Sequence, residues 1–416
     1  MTAVADTLPL SETHSPNDQA ALVEIVSEAY AKGTAMYPIG GGTSLDYGLP
    51  ASRPGIGISL SKLNRVIDYP ARDMTITVEA GITIDELSGK LSGEGQMLPI
   101  DVPHSASATL GGVVATSLSG PRRYGYGTMR DYVIGISAVD GRGKMFKAGG
   151  RVVKNVAGYD FCKLLTGSLG TLGVIAQVTL KIKPLPTSSA FLFCDLRDLS
   201  SCEPLLAAIV NSRTTPSAIE LLLGPHWREN ATLGLTTAGS VARLAIGLEG
   251  TAGEVEWMLA QLADEWRALG MTASRALAEA QAAQLWSDLR EFPSAPGAPL
   301  VVKASLLPSR TVEFIQLVLQ LDPQASIQAH AGNGIVIARF SQFDINDVSR
   351  ALIGRLQPAA QRAGGHVVVL SSTLAGLTRQ AVWGNATAAT HWMGKVKQQF
   401  DPKGLLNPGR FVYDTP

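Results

Sequence analysis

The chain has few cysteines, and this scarcity limits the chemistry that it can carry by itself. Its 416 residues include three, Cys162, Cys194 and Cys202, and none belongs to a C-x-x-C pair. We therefore do not expect a disulfide framework, and a reducing, cytoplasmic environment fits the sequence better. An ordinary iron–sulfur cluster needs four thiolates, which three scattered cysteines do not provide.

The chain also lacks an excess of charge of either sign and any long apolar run. Basic and acidic residues number 35 each, so the formal net charge is zero, and electrostatic binding of nucleic acid has no support. No apolar run approaches the roughly 20 residues that a membrane-spanning helix requires. The N-terminus has no basic segment followed by an apolar one, so we expect neither a signal peptide nor a transmembrane segment.

Tryptophan is missing from the first half of the chain, whereas glycine is concentrated there. Residues 1–185 contain 25 of the 43 glycines, and all six tryptophans come later, beginning at Trp227. The stretch KIKPLPTSS, with Pro184 and Pro186, has the composition of a linker. A chain of this length usually has two domains, so we predict a domain boundary after residue 186.

Hydrophobic periodicity predicts the secondary structure on both sides of this boundary. In the first half, SPNDQAALVEIVSEAYAKG predicts a helix with Ser15 as its N-cap, Pro16 in its first turn and Gly33 at its end. A second helix begins with a capping box, Thr83 to Glu86, and DGRG predicts a hairpin turn. In the second half, two rounds of strand, helix and strand with a hairpin predict an antiparallel sheet with helices on one face. The predicted fold class is therefore α+β.

Three consecutive glycines, Gly40 to Gly42, follow a short apolar strand and precede Thr43 and Ser44. Ordering them costs conformational entropy, so side chains at these positions would obstruct something. A glycine-rich turn after a strand presents successive backbone N–H groups, and such a nest binds phosphate. No lysine follows the glycines, and the spacing is not G-x-G-x-x-G. By itself the stretch is equally compatible with a phosphate site and with a tight surface turn.

A second stretch rich in small residues, 101–131, favours a cofactor site. Its glycines and serines are interleaved with Leu110, Val113, Val114 and Leu118. That spacing is typical of a packed core and not of a flexible linker. Small residues over such a length indicate that something flat or extended lies against the backbone, and a dinucleotide cofactor is the obvious candidate.

The order of these motifs resembles that of the FAD-binding domain of PCMH-type flavoproteins, the vanillyl-alcohol-oxidase/MurB-like family. The chain supplies, in order, Gly40–Ser44, Ala108–Gly112, Tyr124–Gly125 followed by DYVIGISAVDG, and Gly170–Ile175. Two further segments, KNVAGYD (Lys154–Asp160) and FDPKGLLNPGRF (Phe400–Phe411), are similar to FAD-linked 2-hydroxy-acid dehydrogenases, a branch that includes glycolate and D-lactate dehydrogenases. Within this branch, the chain looks most like the smaller FAD-binding subunits of glycolate dehydrogenases (glycolate oxidases).

The resemblance implies a two-subdomain PCMH-type FAD-binding domain at 1–186, an α+β cap or substrate domain at 187–395, and a C-terminal tail at 396–416 that returns to the FAD domain. It places the pyrophosphate of FAD on the first glycine loop and the adenine end near Val174 and Ile175. The residues that it assigns to the cofactor are Gly40, Gly41, Gly42, Thr43, Ser44, Leu45, Pro103, Thr109, Gly111, Gly112, Ser117, Gly120, Tyr124, Gly125, Val174 and Ile175. Some relatives tether the flavin through a histidine at the position of Thr43, so the resemblance implies non-covalent FAD.

Beyond the cofactor, the resemblance implies two substrate-binding candidates, His330 and Arg410, and assigns no catalytic residue. Arg410 can hold a carboxylate or a flavin oxygen through its guanidinium, or it is an exposed tail charge. His330 lies in AHAGNGIVI, where relatives have a GHAGDGNLH-like loop whose second histidine helps to build a metal and hydroxy-acid site. Here Ile337 replaces that histidine and Asn333 the acidic residue. We therefore expect a hairpin with a type I′ turn at Asn333–Gly334, and no metal.

Three functions remain open. The first is the FAD-binding subunit of a multi-subunit glycolate dehydrogenase, which converts glycolate to glyoxylate with a larger FAD-binding subunit and an iron–sulfur subunit as partners. The second is a self-sufficient FAD-dependent 2-hydroxy-acid dehydrogenase, such as D-lactate dehydrogenase. The altered loop at 329–337 argues against it, as does Leu169, where such enzymes usually carry an acidic residue. The third, a structural partner that has lost flavin binding, is disfavoured by the intact glycine motifs. The cysteine content fits a cytoplasmic location, and peripheral attachment to the inner membrane through partners is compatible with it.

Overall fold

The computed structural model describes residues 8–151, 159–234, 238–273 and 275–411. The chain divides into two compact units. The first comprises Met1–Ser119, Thr128–Leu185 and Asn385–Pro416, and the second comprises Gly120–Gly127 and Pro186–Gly384. The part of the KNVAGYD motif from Lys154 to Gly158 lies outside the described residues. Within the described ranges, no helix has both the length and the apolar character needed to cross a bilayer.

The first unit combines a parallel and an antiparallel sheet. Its strands are β1 (Leu10–His14), β2 (Ala35–Ile39), β3 (Gly55–Ser59), β4 (Val66–Asp68), β5 (Thr75–Glu79), β6 (Gln96–Met97), β7 (Val133–Val139), β8 (Met145–Gly149), β9 (Val174–Lys181) and β10 (Lys183–Pro184). β1, β3 and β2 form a parallel sheet in that order. The order β4-β5-β9-β7-β8 describes a five-stranded antiparallel sheet, and β6 pairs with β10.

Short helices connect these strands. They are α1 (Gln19–Lys32), α2 (Ile84–Ser92), α3 (Leu110–Thr116), α5 (Met129–Tyr132), α6 (Phe161–Leu165) and, from the C-terminal part of the chain, α15 (Ala388–Phe400). The predicted N-cap of α1 is wrong: the N-cap is Asp18 and not Ser15, so Pro16 precedes the helix instead of starting it. Asp18 has extended backbone angles, and its Oδ1 accepts a hydrogen bond from the N–H of Ala21 at 2.8 Å. Gly33 ends this helix with φ of 71°, as predicted. The capping box at Thr83 is confirmed, as is the DGRG hairpin, which joins β7 to β8.

The second unit is built on one eight-stranded antiparallel sheet, so the predicted α+β fold class is confirmed. The strands are β11 (Ser188–Leu196), β12 (Ala218–Leu223), β13 (Ala242–Gly250), β14 (Arg275–Ala278), β15 (Leu300–Ser305), β16 (Ser326–His330), β17 (Ile335–Phe340) and β18 (His366–Ser372). Their order in the sheet is β14-β11-β13-β12-β16-β17-β15-β18. The helices are α4 (Arg123–Tyr126), α7 (Cys202–Val210), α8 (Pro225–Arg228), α9 (Ala252–Ala268), α10 (Glu279–Glu291), α11 (Thr311–Leu321), α12 (Ile345–Asp347), α13 (Gln357–Arg362) and α14 (Arg379–Trp383), with a π-helical turn at Val348–Leu356.

A core of aromatic side chains holds α10 against this sheet. Phe191 and Phe193 on β11 pack with Trp286 of α10, and the ring centroids of Phe191 and Trp286 are 4.6 Å apart. Gly247 on the neighbouring strand has no side chain because a Cβ there would lie 2.6 Å from the Trp286 ring. This packing covers the end of the sheet formed by β14, β11 and β13. The polar residues described below lie on the other strands, β12, β16, β17 and β15.

The hairpin predicted between β16 and β17 is present, but its predicted turn type is wrong. Ala331–Asn333 form a 3-10 turn, and only Gly334 that follows has a left-handed backbone, with φ of 68°. A type I′ turn needs positive φ at both central residues. A Cβ on Gly334 would also overlap the carbonyl oxygen of Leu306, so this glycine is required by sterics as well as by its backbone angle.

Candidate functional site

The first unit contains an open cleft with about 1000 Å³ of empty space. Twelve of the predicted site residues line it: Gly40, Gly41, Gly42, Thr43, Ser44, Leu45, Pro103, Thr109, Gly111, Gly112, Ile175 and Arg410. They come from the turn after β2, the N-terminal part of α3 with the residues before it, the start of β9 and the C-terminal segment. The structure therefore brings the glycine motifs, which are separated in sequence, to one surface.

The first glycine loop packs directly against the backbone of the second small-residue stretch. A Cβ at Gly41 would overlap the carbonyl oxygen of Ser107 and lie 2.6 Å from its carbonyl carbon. A Cβ at Gly40 would overlap the side-chain oxygen of Thr109. These two glycines are thus required by the protein's own packing, whereas the sequence attributed them to an approaching phosphate. The loop remains a cofactor candidate because the same residues line the cleft.

Gly112 and Thr109 show that the cleft has room and hydrogen-bonding capacity for a ligand. A Cβ at Gly112 would meet only the Thr109 oxygen at 3.5 Å, an ordinary contact, so the missing side chain leaves space in the cleft. Thr109 Oγ1 is buried and has no hydrogen-bond partner in the described residues. A buried hydroxyl costs free energy unless it is paired. The residues present therefore fit a polar, extended group such as FAD.

The C-terminal segment braces the cleft through backbone and side-chain hydrogen bonds. The N–H of Met36 on β2 donates to the carbonyl of Leu405 at 2.7 Å, and Asn407 donates its backbone N–H to the Met36 carbonyl. The Asn407 side chain donates to the Leu169 carbonyl at 2.7 Å. Leu169 itself has a left-handed backbone, φ 51°, which is unfavourable for a leucine. Thus the segment holds both the strand before the glycine loop and the loop at 167–173.

Arg410 belongs to this brace. Only 7% of it is exposed, so the expectation of an exposed tail charge is wrong. Its guanidinium donates to the carbonyl oxygens of Leu45 and Tyr47, the latter at 3.0 Å. Burial lowers the pKa of Arg410, and the nearby Asp46 opposes that shift. The hydrogen bonds hold the residues that follow the first glycine loop in place, and Arg410 also lines the cleft.

The remaining predicted cofactor residues do not line this cleft. Ser117 and Val174 lie next to lining residues but are not themselves part of the lining. Gly120, Tyr124 and Gly125 belong to the second unit, although the sequence places them in the first domain. There, a Cβ at Gly125 would lie 2.9 Å from the Cα of Ser217. The assignment of these residues to the cofactor stays a prediction.

His330 lies in the second unit within a buried polar cluster that the sequence did not reveal. Glu220 on β12 is the direct cross-strand neighbour of His330 on β16. Nδ1 of His330 is 2.8 Å from Oε1 of Glu220, and Gln328 donates to the other oxygen at 2.8 Å. All three side chains are at most 2% exposed, and Nε2 of His330 is buried without a partner in the described residues. The carboxylate fixes the orientation of the imidazole.

Lys303 and His366 extend the polar face of this sheet. Cross-strand pairs connect Gln328 to Ile337 and Ile337 to Lys303, and directly paired residues project from the same face of an antiparallel sheet. Burial lowers the pKa of Lys303 to about 8, and the charge of Arg123 contributes. The pKa of His366 is also lowered, mainly by partial desolvation and to a smaller extent by the charge of Lys303. The row of cross-strand pairs from His330 to His366 spans three strand spacings, about 14 Å, which is too far for a shared metal.

Among the described residues, no group of three or more His, Cys, Asp or Glu side chains is arranged to hold a metal ion. Ile337, at the position expected for a second histidine, is buried in the apolar core instead. Beside the Glu220 carboxylate, the polar face thus offers the oriented imidazole of His330, an amide and an ammonium group, with the imidazole of His366 at its far edge. Glu220 and Lys303 were missed because each is the single charged residue of a mainly apolar strand, and only the strand register places them on the same sheet face as the histidine.

Comparisons with known proteins support the assignment of the cleft in the first unit to FAD. The family described as "FAD binding domain" matches residues 13–149, and "FAD linked oxidases, C-terminal domain" matches residues 376–411. Glycolate oxidase subunit GlcE of Escherichia coli (strain K12) is 30% identical over 94% of this chain and 96% of its own length. D-2-hydroxyglutarate dehydrogenase of Xanthomonas citri pv. viticola is 28% identical, over 94% of this chain and 87% of that protein.

A solved structure of alkyldihydroxyacetonephosphate synthase has the same fold. It superposes with a TM-score of 0.70 and 19% identity, and the match covers 96% of this chain and 77% of that one. The mitochondrial D-lactate dehydrogenase [cytochrome] of Arabidopsis thaliana is 28% identical over 95% of this chain and 72% of its own length. The chain therefore belongs to the FAD-linked oxidases with a PCMH-type FAD-binding domain, and its cofactor is FAD.

Proposed function

We propose that the chain is the FAD-binding subunit of a multi-subunit glycolate dehydrogenase and that turnover of glycolate to glyoxylate needs its partners. The observation that carries this proposal is the 30% identity to glycolate oxidase subunit GlcE, which extends over nearly the full length of both chains. The partners would be a larger FAD-binding subunit and an iron–sulfur subunit, because the three cysteines of this chain, all buried, do not suffice for an ordinary cluster. We place the complex in the cytoplasm, with any membrane association made through the partners.

The first unit would hold the cofactor. Backbone N–H groups of the loop from Gly40 to Ser44 would receive the pyrophosphate, and the unpaired hydroxyl of Thr109 would donate to FAD. Thr43, in place of a tethering histidine, leaves the attachment non-covalent. When bound, FAD accepts the two electrons that an α-hydroxy acid loses on oxidation.

The second unit carries part of the acid–base chemistry that the reaction requires. Oxidation of an α-hydroxy acid needs a base for the hydroxyl proton and a cation for the carboxylate. Nε2 of His330 can take a proton, because Nδ1 is held by Glu220. Lys303 supplies a positive charge on the same face. Ile337 stands where relatives carry the second histidine of such a site, which supports a need for partner subunits.

One observation favours the alternative of a self-sufficient 2-hydroxy-acid dehydrogenase. Nδ1 of His330 lies 2.8 Å from Glu220, whose carboxylate orients the imidazole. With Lys303, the face therefore has a base and a cation. The similarity to D-2-hydroxyglutarate and D-lactate dehydrogenases, over 94% and 95% of this chain, also supports the alternative.

The deciding experiment measures dye reduction by the purified, FAD-loaded chain with glycolate, D-lactate or D-2-hydroxyglutarate. The same assay is then repeated after both partner subunits are added. We expect no useful turnover by the chain alone and glycolate-dependent turnover by the complex. Full turnover by the chain alone would establish the self-sufficient enzyme. A colourless chain that FAD does not reconstitute would instead support the third possibility, a structural subunit without flavin.

The variant His330→Gln in the same complex tests the role of this chain in chemistry. A loss of turnover with normal FAD content and normal assembly would place substrate oxidation in this subunit. Unchanged turnover would assign oxidation to the partner and leave this chain with a relay or structural role. Glu220→Gln is the matched variant: it keeps the side-chain shape but removes the charge beside the imidazole, so it should alter the pH profile of turnover if His330 is the base.

A further inference from the structure

The N-terminal part of α15, in the first unit, exposes an apolar stripe. Trp392 is 65% exposed and Met393 45%. Together with Ala389 and Val396 they follow the spacing i, i+3, i+4 and i+7, which places them on one face of the helix. No residue of this 13-residue helix is buried. A helix stripe of this kind normally packs against another surface, and the exposed tryptophan is the largest side chain in it.

This stripe forms one wall of a groove with about 1760 Å³ of empty space. The opposite walls include Leu172, from the loop before β9, and Pro402, Pro408 and Phe411 from the C-terminal segment. We call this surface the α15 groove. Its C-terminal end is fixed by Lys397, whose ammonium donates to the carbonyls of Thr171 and Leu406 and to Asp401. The groove therefore combines apolar side chains from α15 and the C-terminal segment with charged lining residues, Arg53, Lys397 and Lys403.

Positive charge surrounds the α15 groove. Arg53 donates to the carbonyl of Gly404, and Lys403 donates to the carbonyl of Tyr30. Lys395 lies over the Trp392 ring at 4.6 Å. None of these three cations is paired with a carboxylate in the described part of the chain. Since the whole chain has no net charge, the basic rim is a local feature and selects an acidic partner surface.

The α15 groove shares a wall with the FAD cleft. In the loop at 167–173, Leu169 and Gly170 line the cleft, whereas Ser168 and Thr171 line the groove. Asn407 lines both and holds Leu169 through a hydrogen bond of 2.7 Å. A protein in the groove would therefore contact the outer side of the loop whose inner side faces the cofactor.

We propose that the α15 groove docks a partner subunit through an apolar ridge, or an amphipathic helix, that is flanked by carboxylates. This inference rests on the proposed function for the existence of the partner. Two features favour a protein over the alternatives. The apolar residues line a concave groove, whereas insertion into a bilayer requires apolar residues that protrude. A symmetric contact with a second copy would bring two basic rims together, and like charges repel.

The test uses the full-length FAD-loaded chain with each purified partner subunit, the larger FAD-binding one and the iron–sulfur one. Binding is measured by interferometry at two salt concentrations for wild type, Trp392→Asp and Lys395→Glu. Trp257→Asp is the matched control, because Trp257 is 46% exposed on α9 in the second unit. FAD content and the thermal midpoint report folding of each variant.

We expect Trp392→Asp to weaken binding of one partner subunit at least about tenfold, as for a central interface tryptophan. Lys395→Glu should slow association and reduce its dependence on salt, while Trp257→Asp binds like wild type. Equal binding of Trp392→Asp and wild type would overturn the docking proposal and leave the multi-subunit function intact. Failure of both subunits to bind the wild-type chain would overturn the proposed function as well. Sedimentation detects a homodimer, and flotation with anionic phosphatidylglycerol vesicles detects membrane binding. If Trp392→Asp abolishes only one of these two and leaves partner binding unchanged, the assignment of the groove to a partner subunit is wrong.

Discussion

At the scale of single residues, a substitution at Gly112 tests cofactor binding without disturbing the fold, whereas a substitution in the first glycine loop would affect both. Valine at Gly41 would collide with the backbone of Ser107, so it would disturb the fold together with any phosphate site. At Gly112 a side chain meets open cleft. We predict that Gly112→Leu weakens FAD binding about 10- to 100-fold, since overpacking a fitted site costs about 1–3 kcal/mol. Flavin fluorescence quenching on titration measures the affinity.

The control for this prediction is Gly89→Leu on α2 of the same unit. No atom lies within 4 Å of a Cβ at Gly89, and replacing a helical glycine stabilises a helix by roughly 0.5–1 kcal/mol. Gly89→Leu should bind FAD like wild type and unfold at a slightly higher temperature. Unchanged affinity in Gly112→Leu would remove the cleft from consideration as the FAD site.

From the lowered pKa of Lys303 we predict an unusual dependence of folding stability on pH. Its pKa falls from 10.5 to about 8 on burial. Below pH 8 the lysine is therefore charged in both the folded and the unfolded chain, and the full free-energy cost of burying a charged ammonium group opposes folding. Between pH 8 and 10.5 the unfolded chain binds the proton that the folded chain has released, and stability therefore rises with pH. Lys303→Met should be more stable than wild type at pH 7 by about 2–3 kcal/mol, and the difference should close by pH 10.5.

Urea unfolding at pH 7, 9 and 10.5 measures this difference. The exposed Lys90 on α2 provides the control, because Lys90→Met should change stability little at any of the three pH values. A wild-type chain that is as stable as Lys303→Met at pH 7 would show that a counter-charge neutralises the ammonium group. Added glycolate that selectively stabilises wild type would be evidence that the substrate carboxylate is this counter-charge.

The glycine-rich motifs were readable from sequence because glycine and small residues have few other reasons to occur in such runs. The polar cluster formed by Glu220 and Lys303 could not be predicted, since each is one charged residue within a mainly apolar strand, in AIELLLG and LVVKASLLP. Their position on the same sheet face as His330 depends on strand register, which sequence pattern does not specify across β12, β16, β17 and β15. Likewise, the sequence suggested a ligand as the reason for Gly41, but a neighbouring segment of the same protein is the nearer cause.

At the scale of elements, the C-terminal segment should control the affinity for FAD, although it is far in sequence from the glycine loop that it holds. Arg410 donates to the carbonyls of the half-buried residues Leu45 and Tyr47, and a hydrogen bond from a charged donor contributes about 1.5–3 kcal/mol. We predict that Arg410→Met, which keeps the aliphatic stem, weakens FAD binding about tenfold or more. Isothermal titration with FAD measures this effect, and deletion from residue 401 onwards should abolish binding.

The control is Arg72→Met, which removes an exposed arginine from the same unit. It should leave FAD affinity within error of wild type. If Arg410→Met loses catalytic activity but binds FAD normally, the arginine instead serves the substrate carboxylate, which is the role that the sequence suggested.

Elements with local signals were predicted well, and those that depend on tertiary context were not. The capping box of α2 and the DGRG hairpin follow from residues within a few positions of each other. The start of α1 was misplaced because Ser15 and Asp18 are both good N-cap residues, and only the structure shows that Asp18 takes the role. The hairpin after β16 was found, but its 3-10 turn departs from the usual geometry of an Asn-Gly pair.

At the scale of the whole molecule, composition alone indicated two units. The division between Leu185 and Pro186 falls in the proline-rich stretch, where the sequence places its boundary after residue 186. The short segment Gly120–Gly127 was not separable by composition, because its glycines and serines continue the preceding stretch. It belongs to the second unit through contacts such as that of Tyr124 with Gly332, which are far apart in sequence.

The whole chain should bind FAD reversibly and be stabilised by it. Thr43 stands where a tethering histidine would be, so acid precipitation should release the yellow colour into the supernatant. Because a ligand that binds only the folded state stabilises it by RT ln(1 + [L]/Kd), FAD at 100 times its Kd should add about 2.7 kcal/mol and raise the thermal midpoint. Stripped chain should regain this midpoint on addition of FAD, and Gly112→Leu should need correspondingly more FAD. Colour that remains in the acid pellet, or a midpoint that does not respond to FAD, would contradict non-covalent binding in the folded cleft.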